Sequence, residues 1–374
     1  MADRQVDRRL RRRVGRLSAL DVAVVGGGIV GVSAAAFLAE AGAAVGLFER
    51  HEVGSAASGR NSGSVQHPFD SELVWLHRET LAIYRDLGLI DGPPAGVLTL
   101  AASPEPLGPL AADMRHAFPE LGASLIEGPE LSALEPSLAP GLAACRLETG
   151  YPLRPAAATQ ALAARARQAG AVLHEGATAT VAVGRGRVSG VAVEGELHAA
   201  DAVLVAAGPW TPLLVNRGGQ WRPIEPVWGA VAEVALERPP RQVLEEAGVE
   251  GVVAGEVGSL FSLVTADGAS GVGSTFTADE PDAGALAPGL LAAGAAFVPE
   301  LEHAKVVAAR ACARPQSRDG RPLIGPLPAA EGLYVAAGHG PWGISLGAAS
   351  GALAAGSLLG DAEIPPPLRA ARFS

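Results

Sequence analysis

The stretch that decides the fold is Asp21-Val22-Ala23-Val24-Val25-Gly26-Gly27-Gly28-Ile29-Val30-Gly31, with Val45-Gly46-Leu47-Phe48-Glu49 a short way downstream. The first apolar run reads as a buried strand, and Val32 to Glu40 is alanine-rich and helix-compatible, with Gly42 placed to end it. A second apolar strand then closes on an acid. This is strand, glycine turn, helix, strand: one βαβ unit. Each glycine has a task. Gly26 permits the tight turn, Gly28 lets a pyrophosphate approach the backbone, and Gly31 seats the helix against the strand. The phosphates then lie at a helix N-terminus, where amide groups are free. Glu49 stands about 20 residues past Gly28, where an acid accepts ribose hydroxyls. An acid there disfavours a 2′-phosphate, so a dinucleotide other than NADP is expected.

Working outward, 374 residues suggest two domains or one large interleaved unit. With 48% hydrophobic and 18% charged residues, the chain can bury a large core and is not disordered. Its 29 basic against 39 acidic residues give −10, and no long basic stripe crosses the body, so nucleic acid is not an expected partner. Cys145 and Cys312 are too few for a disulfide framework or a four-thiolate zinc site, which points to a reducing, cytoplasmic setting and no metal. Residues 1–18 carry Arg4, Arg8, Arg9, Arg11, Arg12, Arg13 and Arg16. They read as a solvated arm rather than an export signal, because the next apolar segment is the glycine-motif strand itself. No uninterrupted apolar run reaches membrane length, so no transmembrane span is expected.

Further along, Ser71–Leu89 has the periodicity of an amphipathic helix, and Arg154–Gln168 of another. Thr178–Val183, Arg187–Val193 and Glu196–Ala199 read as short strands, and Asp201–Gly208 as a separate buried one. Residues 95–145 are a weaker mixture. Val227–Val234, Leu260–Thr265 and Gly271–Phe276 suggest an inserted antiparallel sheet. Gly332–Gly338 reads as one more parallel strand, and Gly343–Leu359 as a helix of small residues.

The glycine-rich stretch Ser55-Ala56-Ala57-Ser58-Gly59-Arg60-Asn61-Ser62-Gly63-Ser64-Val65-Gln66-His67 follows the second strand. Here the chain resembles the D-amino-acid oxidase family of FAD enzymes, which includes glycine oxidase, sarcosine oxidase and D-amino-acid dehydrogenases. The resemblance runs from Asp21 over nearly the whole chain. It rests also on Val205-Ala206-Ala207-Gly208-Pro209-Trp210, Pro226-x-x-Gly229, Arg314-Pro315 with Asp319-Gly320-x-Pro322-Leu323-Ile324-Gly325, and Ala337-Gly338-His339-Gly340. It implies an α/β fold in which a Rossmann-type FAD domain (19–95, 146–222 and 305–374) interleaves with an antiparallel-sheet substrate domain (96–145 and 223–304). It also implies a cofactor set. Gly26, Gly28, Gly31, Glu49 and Arg50 would bind the ADP half. Ser58, Gly59, Arg60, Asn61, Ser62 and Gly63 would run along the pyrophosphate and ribityl chain. Ala179 would meet the adenine. Ala207, Gly208 and Trp210 would line the pyrophosphate side, and Gly338, Gly340, Gly343, Ile344 and Ser345 the pyrimidine edge of the flavin. The glycines at that edge also admit close backbone approach, and a helix N-terminus favours the charge of a reduced flavin.

The resemblance implies hydride transfer from an amine-bearing carbon to flavin N5, with an amino acid or secondary amine as substrate and oxygen or an electron carrier as acceptor. Arg314 is then the expected carboxylate anchor, since a guanidinium grips a carboxylate with two parallel hydrogen bonds. The competing reading is an arginine paired with Asp319. The tyrosine that the family often supplies from its substrate sheet has no counterpart among Tyr84, Tyr151 and Tyr334, and Phe261 and Phe276 are expected to wall the pocket in its place. His67, His339, Trp228 and Trp342 are further candidates near the flavin. The Gly59–Gly63 loop with His67 also resembles that of L-2-hydroxyglutarate dehydrogenases. A 2-hydroxy-acid oxidoreductase using His67 or His339 as base is therefore an alternative, and a non-catalytic flavin-binding subunit another. Cys312, two residues before Arg314, stands where the sarcosine-oxidase branch forms a thioether to the flavin. The residues after it resemble the non-covalent branch, so non-covalent FAD is expected.

Overall fold

The computed structural model describes residues 20–215, 220–248 and 258–374; the basic arm lies outside the described residues. The glycine-motif strand, Leu20–Val25, pairs in parallel with Val45–Glu49 on one side and with Glu196–Val205 on the other. Leu333–Ala337 and Val172–Glu175 extend this sheet outward in parallel, and Leu323–Pro326 closes one edge antiparallel. Strands flanked on both sides are buried on both faces, which is why Val22, Ala23, Val24 and Val25 form an unbroken apolar run.

The helix Ile29–Glu40 packs on this sheet and is apolar nearly all round, because Gly343–Leu359 and Ala157–Gln168 cover its other sides. Burying each of Ile29, Val32 and Leu38 contributes roughly 1.5–3 kcal/mol. The small residues of Gly343–Leu359 allow the close approach. A Cβ at Gly351 would stand 2.5 Å from the Val30 carbonyl oxygen, and the Ser33 hydroxyl donates to the Ala348 carbonyl at 2.6 Å. The continuous helix Gly340–Leu359 is long and apolar enough to cross a membrane, but more than half of it is buried against these neighbours.

The second eight-stranded sheet runs, by residue range, 306–317, 224–234, 269–276, 258–266, 243–246, 97–101, 143–147 and 124–127. Among the described residues its one parallel contact joins Val243–Glu246 to Val97–Ala101. The helix Ala283–Gly294, capped by Asp282 accepting from the Ala285 amide, covers one face. The other face looks toward the first sheet.

The structure alters the sequence reading in two places. Glu196–Ala199 and the run from Asp201 belong to one strand, Glu196–Val205, antiparallel to Arg187–Val193 over its first half and parallel to the glycine-motif strand over its second. Residues 305–374 do not all join the dinucleotide half. Val306–Ser317 is the longest strand of the second sheet and pairs with Ile224–Val234 over its whole length. Its Ala-Arg-Ala-Cys-Ala-Arg sequence lacks the β-branched composition that marks a strand, so tertiary pairing rather than local propensity sets it.

Candidate active site

A cavity of about 1320 Å³ runs between the two sheets. Its inner end is built on the glycine turn. Gly26 has φ +114°, and a Cβ there would sit 2.4 Å from the Ala206 carbonyl oxygen. Gly28 faces the cavity with an ordinary φ of −76°, so what the site requires there is space, not an unusual backbone. The first intrahelical bond is Val32 N–H to the Gly28 carbonyl at 3.0 Å, which leaves the first-turn amides to other acceptors. One of them, Ile29 N–H, donates to Ser58 Oγ at 2.9 Å. Glu49 lines the cavity and is held by the Gly27 amide at 2.7 Å and the His51 amide at 2.9 Å. Arg50 lies over the Trp210 ring at 3.9 Å, and these two form a wall with Ala179, Ala207 and Gly208.

The loop of the second motif turns back along the cavity. Ser58, Arg60, Asn61 and Ser62 line it. The Asn61 side chain donates to the Ala57 and Ser58 carbonyls and accepts from the Gly63 amide, which fixes the turn. At the far end Gly340, Trp342, Gly343, Ile344 and Ser345 open the long helix onto the cavity, so its positive pole faces inward. The Tyr84 hydroxyl donates to the Ile344 carbonyl at 2.8 Å, and His77 Nδ1 lies 3.4 Å from the Ser345 carbonyl, so the Val74–Asp86 helix positions that terminus.

The opposite wall is the second sheet. Strand period brings Cys312, Arg314 and Gln316 to its cavity face. Arg314 Nη1 donates to the Thr275 carbonyl at 3.0 Å and Nη2 to Ser274 Oγ, and the guanidinium lies 4.6 Å from the Phe276 ring. Beneath it is Gly229, where a Cβ would stand 2.3 Å from Nη2. The Pro226-x-x-Gly229 motif thus provides a flat bed for the guanidinium. Asp319 is taken by Arg372 at 2.8 Å, and among the described residues no carboxylate pairs with Arg314.

Several expected site residues lie elsewhere. His67 is buried outside the cavity, edge-on to Phe118 and His77, with Nε2 3.7 Å from Glu120. Burial lowers its pKa, with Glu120 pulling the other way. It does not line the cavity, which disfavours it as the base of the hydroxy-acid alternative. Phe261 points to the other face of its sheet and stacks on Phe297 at 4.7 Å. Its neighbour Ser262 lines the cavity instead, because a shift of one residue along a strand exchanges faces. Phe276 does wall the cavity, as does Trp228. Gly31, Gly59, Gly63 and Gly338 serve packing rather than lining. A Cβ at Gly31 would lie 2.0 Å from the Gly26 carbonyl oxygen, at Gly59 2.2 Å from that of Gly54, at Gly63 2.4 Å from that of Leu153, and at Gly338 2.8 Å from Leu323 Cδ1. His339 lines the cavity and is fully buried, which pushes its pKa down to about 4. Cys312 also lines it. Burial raises its thiol pKa against the pull of Arg314, Arg310 and Arg60, so it is a thiol rather than a thiolate. Gln66, Glu245, Ser262 and Ser274 escaped the sequence reading, since isolated polar residues in strands and loops carry no pattern.

This cavity defines the class: an oxidoreductase that binds a dinucleotide beneath a substrate sheet. FAD fits the residues present. Gly28 leaves the pyrophosphate approach open, Glu49 stands where a ribose would lie, and a second helix N-terminus waits at the far end. The sequence model of the family described as FAD dependent oxidoreductase (DAO) matches residues 21–356, and the chain belongs to this family. The glycine oxidase of Geobacillus kaustophilus (strain HTA426) is 32% identical over 361 residues, 90% of this chain and 92% of the relative. The D-amino acid dehydrogenase of Sinorhizobium medicae (strain WSM419) is 31% identical over 72% of this chain and 61% of its own length. The crystal structure of glycine oxidase from Geobacillus kaustophilus superposes with a TM-score of 0.80 at 28% identity, covering 96% of this chain and all of that one. The chain is thus an FAD-dependent oxidoreductase of the amine and amino-acid kind.

Proposed function

We propose that this protein oxidises the C–N bond of an α-amino acid, or of an N-substituted one, with Arg314 as the carboxylate anchor. The observation that carries the reading is a guanidinium on the cavity wall, fixed by Thr275 and Ser274, with no acid of its own among the described residues. Two of its N–H groups hold the protein, and the rest are available to a carboxylate. When bound, FAD supplies the hydride acceptor and stores the electron pair. Gly26, Gly28, Glu49, Arg50, Ser58 and Ala179 would hold its ADP half, and Gly340, Gly343, Ile344 and Ser345 its ring edge.

The remaining work is orientation and exclusion of water. Phe276 lies against the Arg314 guanidinium, and Trp228 and Trp342 add apolar surface elsewhere on the cavity wall. With the carboxylate fixed on the sheet, the α-carbon is directed across the cavity toward the Gly343 helix terminus. His339, neutral above about pH 4, adds no charge to this space. The α-nitrogen must enter as the free amine, because its lone pair forms the C=N bond as hydride leaves. Oxygen or an electron carrier would serve as the final acceptor, and we place the reaction in the cytoplasm, in keeping with the free thiols Cys145 and Cys312.

The test is anaerobic mixing of the purified yellow protein with amino acids of both hands, N-methyl amino acids and 2-hydroxy acids. Bleaching of the flavin band by amines alone is expected. Bleaching by hydroxy acids alone would overturn the reading.

A further inference from the structure

A second guanidinium stands on the cavity wall besides that of Arg314. Arg60 ends the short helix Ala57–Arg60 in the loop of the second motif and lines the cavity. Ser58, two residues earlier, turns its hydroxyl to the Ile29 amide at the glycine turn. Two residues of helix are about 200° of rotation, so Arg60 leaves the opposite side of that turn. Its Nη1 lies 3.5 Å from the carbonyl oxygen of Ala311, on the Val306–Ser317 strand. The backbone of the loop thus stays with the dinucleotide half, while the guanidinium crosses to the second sheet. The pyrophosphate approach at Gly28 lies on the far side of the Ser58 turn from it.

Three guanidiniums gather here around one acid. Arg310 Nη1 donates to Glu233 at 2.8 Å and its Nη2 to the Asn61 carbonyl at 3.3 Å, and Arg154 stands 3.8 Å from the same carboxylate. Glu233 is therefore occupied. Among the described residues neither Arg60 nor Arg314 has a carboxylate partner. Both draw down the pKa of the Cys312 thiol against its burial, as charges close to one side chain do. The register gives their spacing. Ala311 and Cys312 lie on the edge strand of the sheet, Gly229 pairs with Cys312 on the next strand, and the Arg314 guanidinium covers Gly229. The two cations thus stand one to two strand spacings apart, roughly 5–10 Å. One carboxylate answers Arg314. A second cation shut in with substrate and away from water calls for a second anion.

Resting on the amino-acid reading above, we infer that Arg60 selects substrates carrying a second negative charge: α-amino acids whose side chain ends in a carboxylate. The α-carboxylate is held by Arg314 and the side-chain carboxylate by Arg60, with the small, neutral Cys312 between them. A glutamate-like chain bridges the gap once a hydrogen bond is added at each end. Glycine engages Arg314 alone. A lysine-like side chain would bring an ammonium against the Arg60 guanidinium.

The test uses the FAD-loaded enzyme and anaerobic flavin reduction with glutamate, aspartate, glutamine, glycine and lysine, each chiral one in both hands. Glutamate or aspartate should exceed glutamine in kcat/KM by roughly tenfold or more, the worth of one charge-assisted hydrogen bond, with lysine slowest. Arg60→Met should collapse the glutamate-to-glutamine ratio to near unity while the flavin spectrum is retained, and Arg60→Glu should turn the preference toward lysine. Wild-type enzyme reducing equally fast with glutamate and glutamine overturns the inference without any variant, and so does a ratio that survives Arg60→Met. Loss of the flavin from Arg60→Met would assign the guanidinium to the dinucleotide and overturn it as well. If amino acids bleach the flavin with no charge preference, only this inference falls. If no amine bleaches it, the amino-acid reading falls and takes the inference with it.

Discussion

Replacing Arg314 by alanine tests the proposed chemistry most directly. The side chain makes two bonds to the protein, to the Thr275 carbonyl at 3.0 Å and to Ser274 Oγ, and rests on Phe276 and Gly229. Its rotamer is therefore set before a ligand arrives, and little entropy is lost on binding. Removing one partner of a buried charge pair costs about 2–5 kcal/mol. Here the cavity is open enough for water to take part of the vacated space, which points to the lower half of that range. We expect kcat/KM for a carboxylate substrate to fall by roughly 30- to 370-fold, carried mainly by KM. FAD content should not change, because Arg314 bonds Thr275 and Ser274 rather than the residues that would hold the dinucleotide. Arg314→Lys should recover only a small part, since an ammonium cannot hold Thr275 and Ser274 and still present a planar fork. The assay is stopped-flow flavin reduction under nitrogen, with FAD occupancy read from the visible spectrum. A change in kcat/KM of less than threefold, or loss of FAD in step with activity, would refute the anchor role.

Three further outcomes are expected. Gly28→Val should abolish FAD binding yet leave a folded apoprotein, because φ at Gly28 is ordinary and the nearest obstacle to a Cβ is Ser58 Oγ at 3.1 Å; yellow protein from this variant would show that the pyrophosphate does not pass there. Acid precipitation should release the flavin into the supernatant, and Cys312→Ser should not alter that, because burial keeps Cys312 a thiol; colour remaining in the pellet would establish a covalent link. His77 and His339 are both pushed down to about 4 by burial, so the unfolded chain takes protons that the native state refuses. Stability is then full above pH 6.5 and drains away as pH falls toward 4, by roughly 3 kcal/mol per histidine. Thermal melts should show this decline, and a flat melting temperature between pH 7 and 4.5 would contradict it.

The sequence by itself determined the dinucleotide half. Gly26, Gly28, Gly31 and Glu49 stand within one βαβ unit, where every relevant contact is local and each residue type is dictated by a steric or charge requirement. The Gly343–Leu359 helix was legible for the same reason, since its small residues announce close packing. Arg314 was named from a motif, yet why it faces the cavity was not visible. That follows from the pairing of Val306–Ser317 with Ile224–Val234, a contact between segments about 80 residues apart that sets which alternate side chains point inward. The pairing of Gly258–Ala266 with Ala269–Phe276 likewise put Ser262 rather than Phe261 on the cavity face. His67 follows the glycine loop directly, but the chain turns there, and the ring ends against Phe118 and His77 instead. Glu245 and Gln66 are 179 residues apart and meet only because the second sheet lies across the first. Local sterics write glycines and caps into a sequence. The partner of a lone polar side chain is decided by which distant strands come together, and that belongs to the tertiary structure.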